Sequence, residues 1–235
     1  MKTILQSAGT GSFLKDAIRD LVVVIAGILA ALWLDAWWQG RLDRQEEAFL
    51  LAGLREEFVA NRQQLADHIG TWEYLVGAVD RARQLMGREI PQSEAGDVKN
   101  TFRGTLSMRF FDPRQGQLSS LINSGKLGLV SNPSLRAKIA DWPGLVGDLE
   151  IERAIALHAF TDGYVKTLGR YVTVSRDDEN PFDDRVNDLL ADRAILNELN
   201  GIGSNAERLV EEGKLILEST DEIIALIDDE LGTAE

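Results

Sequence analysis

Residues 51–86 read LAGLREEFVANRQQLADHIGTWEYLVGAVDRARQLM. Apolar side chains recur there in alternating steps of three and four, at Leu51, Leu54, Phe58, Leu65, Trp72, Leu75, Val79, Ala82 and Met86. Such steps gather residues on one face of a helix, whereas a half-buried strand needs alternation in twos. The spacing predicts a long amphipathic helix ending at Gly87 or near Ile90 and Pro91. Two polar residues, Asn61 and His68, occupy seam positions a heptad apart. Polar seam residues can fix the register or partner number of a coiled coil, or can be satisfied by neighbours in an ordinary bundle. A metal-binding or proton-sensing role for His68 is a third reading.

Upstream of this stripe the chain carries no proline, so the helix is expected to extend back into a second kind of sequence. Leu21 to Leu34, LVVVIAGILAALWL, contains no charge, and extension to Gly40 adds a single acid, Asp35. A helix of about 20 apolar residues crosses about 30 Å of hydrocarbon. Trp33, Trp37 and Trp38 cluster at one end, where amphipathic rings anchor at headgroup level and Asp35 is close enough to stay wet; Lys15 and Arg19 flank the other. The expected organisation is a short tail at 1–18, a transmembrane helix at 19–40 and a helical extramembrane domain at 41–235. A buried core helix and a cleaved signal peptide are the competing readings, the second disfavoured by the tryptophan-rich end. Lys2, Lys15 and Arg19 balance Arg41, Arg44 and Arg55 across the span, so charge does not orient it. A short tail left inside and an exported C-terminal part is the simpler arrangement, which places the domain in the periplasm of a cell with two membranes. Gly27 and Ala31 form a small-xxx-small pair, a weak signal for a paired span.

Downstream, a turn from Gly87 to Gly96 precedes a shorter helix expected to reach Phe110. Asp112 and Pro113 read as a helix cap and first helical residue, with a stop at Gly125 and a bend at Gly128. Asn132 and Pro133 repeat that device and open a helix carrying Leu135, Ile139 and Trp142 on one face. Pro143 and Gly144 are expected to kink or interrupt it, with the helical pattern resuming from Leu145 towards Tyr171. Tyr171 to Val174 is β-branched enough for a short extended piece. The loop RDDENPFDD at 176–184 holds five acids; these invite a calcium reading, but the loop lacks the spaced acids and glycine of a dedicated site. A last long helix follows, striped by Ile195, Leu199, Ile202, Leu209, Ile216, Ile223 and Ile227. Two long stripes can pack antiparallel with the middle helices completing a bundle, so the fold class is all-α.

Composition narrows the chemistry. Of 235 residues none is cysteine and two are histidine, and the formal charge is -13. Disulfides, thiolate metal sites and cysteine nucleophiles are excluded, and affinity for nucleic acid is disfavoured because it rests on Lys and Arg neutralising phosphates. The imbalance is local: residues 1–175 hold 20 basic and 20 acidic side chains, and residues 176–235 hold 5 and 18. The last helix is therefore expected to dock by its stripe and show a carboxylate-rich face to solvent. No phosphate-binding glycine loop, H-E-x-x-H, G-x-S-x-G or spaced histidine pair occurs, so no catalytic residue, metal or cofactor is expected.

Two stretches carry a resemblance. VVVIAGILAALWLDAWWQ at 22–39 resembles the span of a large family of uncharacterised bacterial single-pass membrane proteins, a domain of unknown function. FFDPRQGQLSSLINSGKLGLVSNPSLRAKIADW at 110–142 is similar to a second motif of that family, matched here by Phe110, Phe111, Pro113, Leu121, Ser124, Gly125, Leu127, Val130, Ser131, Asn132 and Leu135. Pro143 and Gly144 depart from the pattern, since relatives tend to continue the helix with aromatics. The resemblance implies an intact anchor in a bacterial inner membrane and a helical domain, and no catalytic activity. The expected function is a membrane-anchored, non-enzymatic interaction or scaffold module, with the bilayer and a protein partner or a second copy as its partners. Phe110, Phe111, Pro113, Ser124, Gly125, Ser131 and Asn132 form the candidate interaction motif. A sensor subunit acting through a partner is the alternative, weakened by the short stretch before the span, and a membrane-bound hydrolase is a third.

Overall fold

The computed structural model describes residues 10–173 and 184–233, and every described element is helical. Helix α1 spans Thr10–Leu85, α2 Ala95–Gly104, α3 Gly116–Asn123 and α4 Pro133–His158. A π-helical turn, Ala159–Tyr164, leads from α4 into α5, Val165–Leu168, and is followed by α6, Val186–Ala191, and α7, Arg193–Thr233. The chain divides into two units after Phe49.

In the first unit, α1 is apolar on every side from Leu21 to Leu34. Its large side chains from Leu21 to Leu34 are each between 47% and 70% exposed. This is a helix long and apolar enough to cross a membrane, a test that a signal sequence near an N-terminus also passes.

In the second unit the two stripes meet. Leu51, Leu54, Phe58, Leu65, Trp72, Leu75, Val79 and Ala82 of α1 are buried, as are Ile195, Leu199, Ile202, Leu209, Ile216, Ile223 and Ile227 of α7. Arg55 pairs with Asp228, Arg62 with Asp221 and Glu73 with Lys214, so numbers rise on one helix as they fall on the other and the two run antiparallel. Helix α4 lies against α7 in the same sense, with Lys138 pairing with Glu222, Trp142 Nε1 donating to Thr220 Oγ1 at 3.0 Å, and Arg208 at 3.5 Å from Glu152. It therefore runs parallel to the 50–85 part of α1, and Trp142 stacks edge-on against Phe58 with ring centroids 5.1 Å apart. At the crossing of α1 and α7, a Cβ added to Gly213 would lie 2.8 Å from Trp72 and 3.0 Å from Ile69, so only glycine admits this approach.

The expectations for the antiparallel bundle, the end of α1 and the Asn132 cap agree with this structure. Several local ones do not. Helix α2 stops at Gly104 instead of reaching Phe110. Asp112 and Pro113 do not begin a helix; α3 starts at Gly116, and its cap comes from another element. Helix α4 runs unbroken through Pro143. The missing hydrogen bond and ring clash cost about 3 kcal/mol in an isolated helix, but Trp142 and Val146 on either side are held in the core. Of the Tyr171 to Val174 stretch, Tyr171 lies in a turn and Val172 in a bend, and Val174 lies outside the described residues. The last helix docks by its stripe and shows its acids to solvent as expected, and three of the exposed acids, Asp221, Glu222 and Asp228, also pair with bases on α1 and α4. Of the acidic loop only Asp184 is described; it pairs with Lys99 and accepts from Thr173 N at 3.1 Å, while 176–183 lie outside the described residues.

Candidate functional site

The residues singled out between Phe110 and Asn132 sit on a strap that leaves α2, crosses α1 and returns into α4. Four side chains of α1 hold its first half. Trp72 Nε1 donates to the Arg109 carbonyl at 2.7 Å. Asn61 grips the Arg114 backbone twice, Nδ2 donating to its carbonyl at 2.7 Å and Oδ1 accepting from its N–H at 2.8 Å. Glu57 accepts from Gln117 N at 2.8 Å and Leu118 N at 3.0 Å, satisfying the first orphan donors of α3 in place of a local cap. His68 Nδ1 donates to the Gln64 carbonyl at 2.6 Å, and its ring stands 6.1 Å from Trp72 and 6.3 Å from Phe111. Both polar seam residues thus face the strap, Asn61 fully buried and His68 partly so.

Phe111 is buried in the core beside this clamp, whereas Phe110 is half-buried beneath the Arg153 guanidinium, 5.7 Å from its ring centroid. A shallow cleft of about 10 Å³ opens here among Trp72, Phe110, Phe111, Val146, Leu149 and Arg153, too small to admit more than a water molecule. Pro113 is half-buried in the non-helical run before α3. At the second half, Ser124 Oγ donates to the Leu121 carbonyl at 3.3 Å and Gly125 takes a φ of 72°, a left-handed stop that L side chains rarely adopt. Asn132 caps α4, Oδ1 accepting from Ser134 N at 2.9 Å and Leu135 N at 3.2 Å, and its Nδ2 donates to Glu230 Oε1 at 2.9 Å. Ser131 is exposed beside it. The structure therefore sets His68 against Phe111 and Asn61 against Arg114 in the first half of the strap, and Ser124, Gly125 and Asn132 in the second. Trp33, Trp37 and Trp38 belong to the first unit and are 70%, 48% and 55% exposed.

A second polar linkage went unread in the sequence. Tyr164, on the π-helical turn, donates its hydroxyl to Thr105 Oγ1, whose own hydrogen goes to the Phe102 carbonyl at 2.6 Å. Burial pushes the Tyr164 phenol up, so it stays protonated as a donor. Tyr171 donates to Asp192 Oδ2 at 2.6 Å while Ala194 N reaches Oδ1 at 2.7 Å, and these bonds hold the Asp192 carboxyl below its usual range. Among the described residues, no buried side-chain polar atom lacks a partner and no cluster of acids and histidines has a metal-holding arrangement.

Fold and site together define an all-α antiparallel bundle with a clamped strap, on a chain that also carries one apolar helix of membrane-spanning length. Comparison with protein-family models, curated proteins and solved structures finds no match to this chain.

Proposed function

We propose that this chain is a single-pass, membrane-anchored helical module of a bacterial envelope that acts by binding protein and performs no chemistry of its own. The observation that carries the reading is the contrast within α1. From Leu21 to Leu34 it exposes apolar side chains in every direction, an arrangement stable in lipid and costly in water. The resemblance of 22–39 and 110–142 to uncharacterised bacterial single-pass membrane proteins supports the same reading, as does a sequence without catalytic motifs. In this proposal the tail lies in the cytoplasm and the bundle in the periplasm, with Trp33, Trp37 and Trp38 at the outer interface. The strap from Phe110 to Asn132 is a rigid, pre-ordered face, and Phe110 with Ile122 supplies its accessible apolar surface.

Alkaline carbonate washing of native membranes, followed by intact mass measurement, tests the anchor. The full-length chain is expected to stay in the membrane; a chain released by the wash, or shortened by its first thirty or so residues, overturns the reading. Affinity purification of the tagged protein after crosslinking in cells tests the binding role. Recovery of the protein as a monomer with nothing crosslinked to it would sink that role.

A further inference from the structure

The buried residues of the bundle fall into two cores that share α1 and α7 and no other helix. The first takes α1 from Leu51 to Trp72 and α7 from Leu209 to Ile227, and is closed by α3, α4 and Phe111 of the strap. The second takes α1 from Leu75 to Ala82 and α7 from Ile195 to Ala206, and is closed by α2, α5, α6 and Tyr164 of the π-helical turn. Among the described residues, Met108 is the one apolar side chain packed against both. Polar bonds also close the second half on itself. Gly87 N donates to the Leu190 carbonyl at 2.8 Å, Asn187 bonds the N–H and the carbonyl of Ile90 at 3.0 and 3.1 Å, and Tyr164 donates to Thr105.

Two of the segments that pass between the cores are weak near the crossing. Between Ala156 in the first core and Tyr164 in the second, the α-helix gives way to the π-helical turn, a winding found mostly as single-turn insertions. On α7, residues 200–205 read NGIGSN, and five of these six are Asn, Gly or Ser, all poorer helix formers than Ala. Packing explains Gly203, where a Cβ would lie 3.1 Å from Val79. It does not explain Gly201, which is exposed and where a Cβ would meet nothing within 4 Å. An interior glycine without a packing reason makes a helix easier to melt at that point. The two weak segments lie against each other, because a Cβ on Gly163 of the π-helical turn would collide with the carboxylate of Glu198, three residues before Gly201.

We propose that the bundle is jointed at this level, so that the half built on the second core opens as one unit while the half built on the first core stays folded. In the opening, α7 melts at 200–205 and α4 parts from α5 at the π-helical turn; the strap and the entry of α1 at Leu50 keep their structure. Leu75 and Val79 on α1 and Leu199 and Ile202 on α7, each at most 1% exposed in the closed bundle, are thereby uncovered. Units of this kind open at a lower free energy than the whole molecule unfolds, so a hidden apolar surface becomes accessible without loss of the fold. The device goes beyond the protein-binding reading above and does not depend on it.

Native-state hydrogen exchange of the full-length protein in lipid nanodiscs, read by mass spectrometry, tests the joint by comparing two halves of the same helices. Amides at 75–82 and 195–206 are expected to exchange about tenfold or more faster than those at 54–69 and 209–227. Ile223→Val removes one buried methylene from the first core and should speed exchange at 54–69 and 209–227 by about two- to tenfold, leaving 75–82 and 195–206 unchanged. Gly201→Ala should slow exchange at 195–206 by about fivefold, and that of α2 and α6 by the same factor, because they open together. Equal protection of the two halves in the unaltered protein would overturn the proposal, as would an Ile223→Val effect spread evenly over both. Slowing by Gly201→Ala that is confined to α7 would mean local melting of one helix and would also overturn it.

Discussion

The two halves of α1 contain apolar residues in plenty and solve different problems with them. From Leu21 to Leu34 the apolar side chains have no period, and none of the large ones is covered by protein. From Leu51 to Ala82 they fall on one stripe, and that stripe is buried against α7 and α4 while the rest of the helix stays wet. Periodicity, more than hydrophobic content, decides what a helix needs around it. A striped helix is satisfied by one or two neighbours; an unstriped one needs a medium.

The contrast can be broken at either end. Trp142→Ala should cost the bundle about 3–5 kcal/mol, because it empties a fully buried site between Phe58 and Thr220, read as a lower midpoint in denaturant with membrane retention unchanged. Leu29→Arg should do the opposite: about 3 kcal/mol against insertion at the middle of a span, read as loss of the protein from washed membranes, with helical content and cooperativity of the bundle preserved. If Leu29→Arg instead unfolds the bundle, the two halves are not separate problems. Gly213→Ala forces a methyl group to 2.8 Å from Trp72 and should destabilise by about 1–3 kcal/mol, whereas Gly27→Ala in the first half meets open space and should leave the bundle unaffected. Asn61→Ala frees the Arg114 backbone from its double clamp, and a loss of about 1–3 kcal/mol with faster hydrogen exchange confined to 107–117 is expected.

The smallest effect is that of pH. Hydrogen bonding to Arg55, which is the larger cause, and the charge of that residue lower the pKa of Asp228 from 3.8. The unfolded chain therefore takes up a proton more readily, so the stability this pair adds is complete above pH 3.8 and fades as the pH falls through the lower, folded value. Asp162 beside Lys166 and Asp192 beside Tyr171 act in the same direction. Thermal midpoints should be flat from neutral pH down to about pH 5 and decline below about pH 4, with a shallower decline in Asp228→Asn. The carbonate-retained fraction should show no such dependence.

Much of the strap was written locally and much was not. Asn132 followed by Pro133 is a helix start whose partners are two and three residues away, and Gly125 is a stop that needs only its own backbone freedom. Asp112 followed by Pro113 has the same grammar and starts nothing, because Trp72 and Asn61 bond the backbone on either side of it until Glu57 caps α3 from another helix. That carboxylate is sixty residues distant in sequence and carries no signal of its purpose. Pro143 reads as an interruption for the same reason: its local cost is legible, and the core contacts that outweigh it are not.

By itself the sequence determined the all-α class, the two stripes, the apolar span at the head of α1 and the place of the acidic excess, because each follows from the order of residues along one helix. Tertiary structure alone decided what those features meet. It set Glu57 and Asn61 under the strap, brought the acids of α7 to Arg55, Arg62 and Lys138, and divided the buried residues between two cores, since burial and pairing depend on which surfaces a folded chain brings into contact.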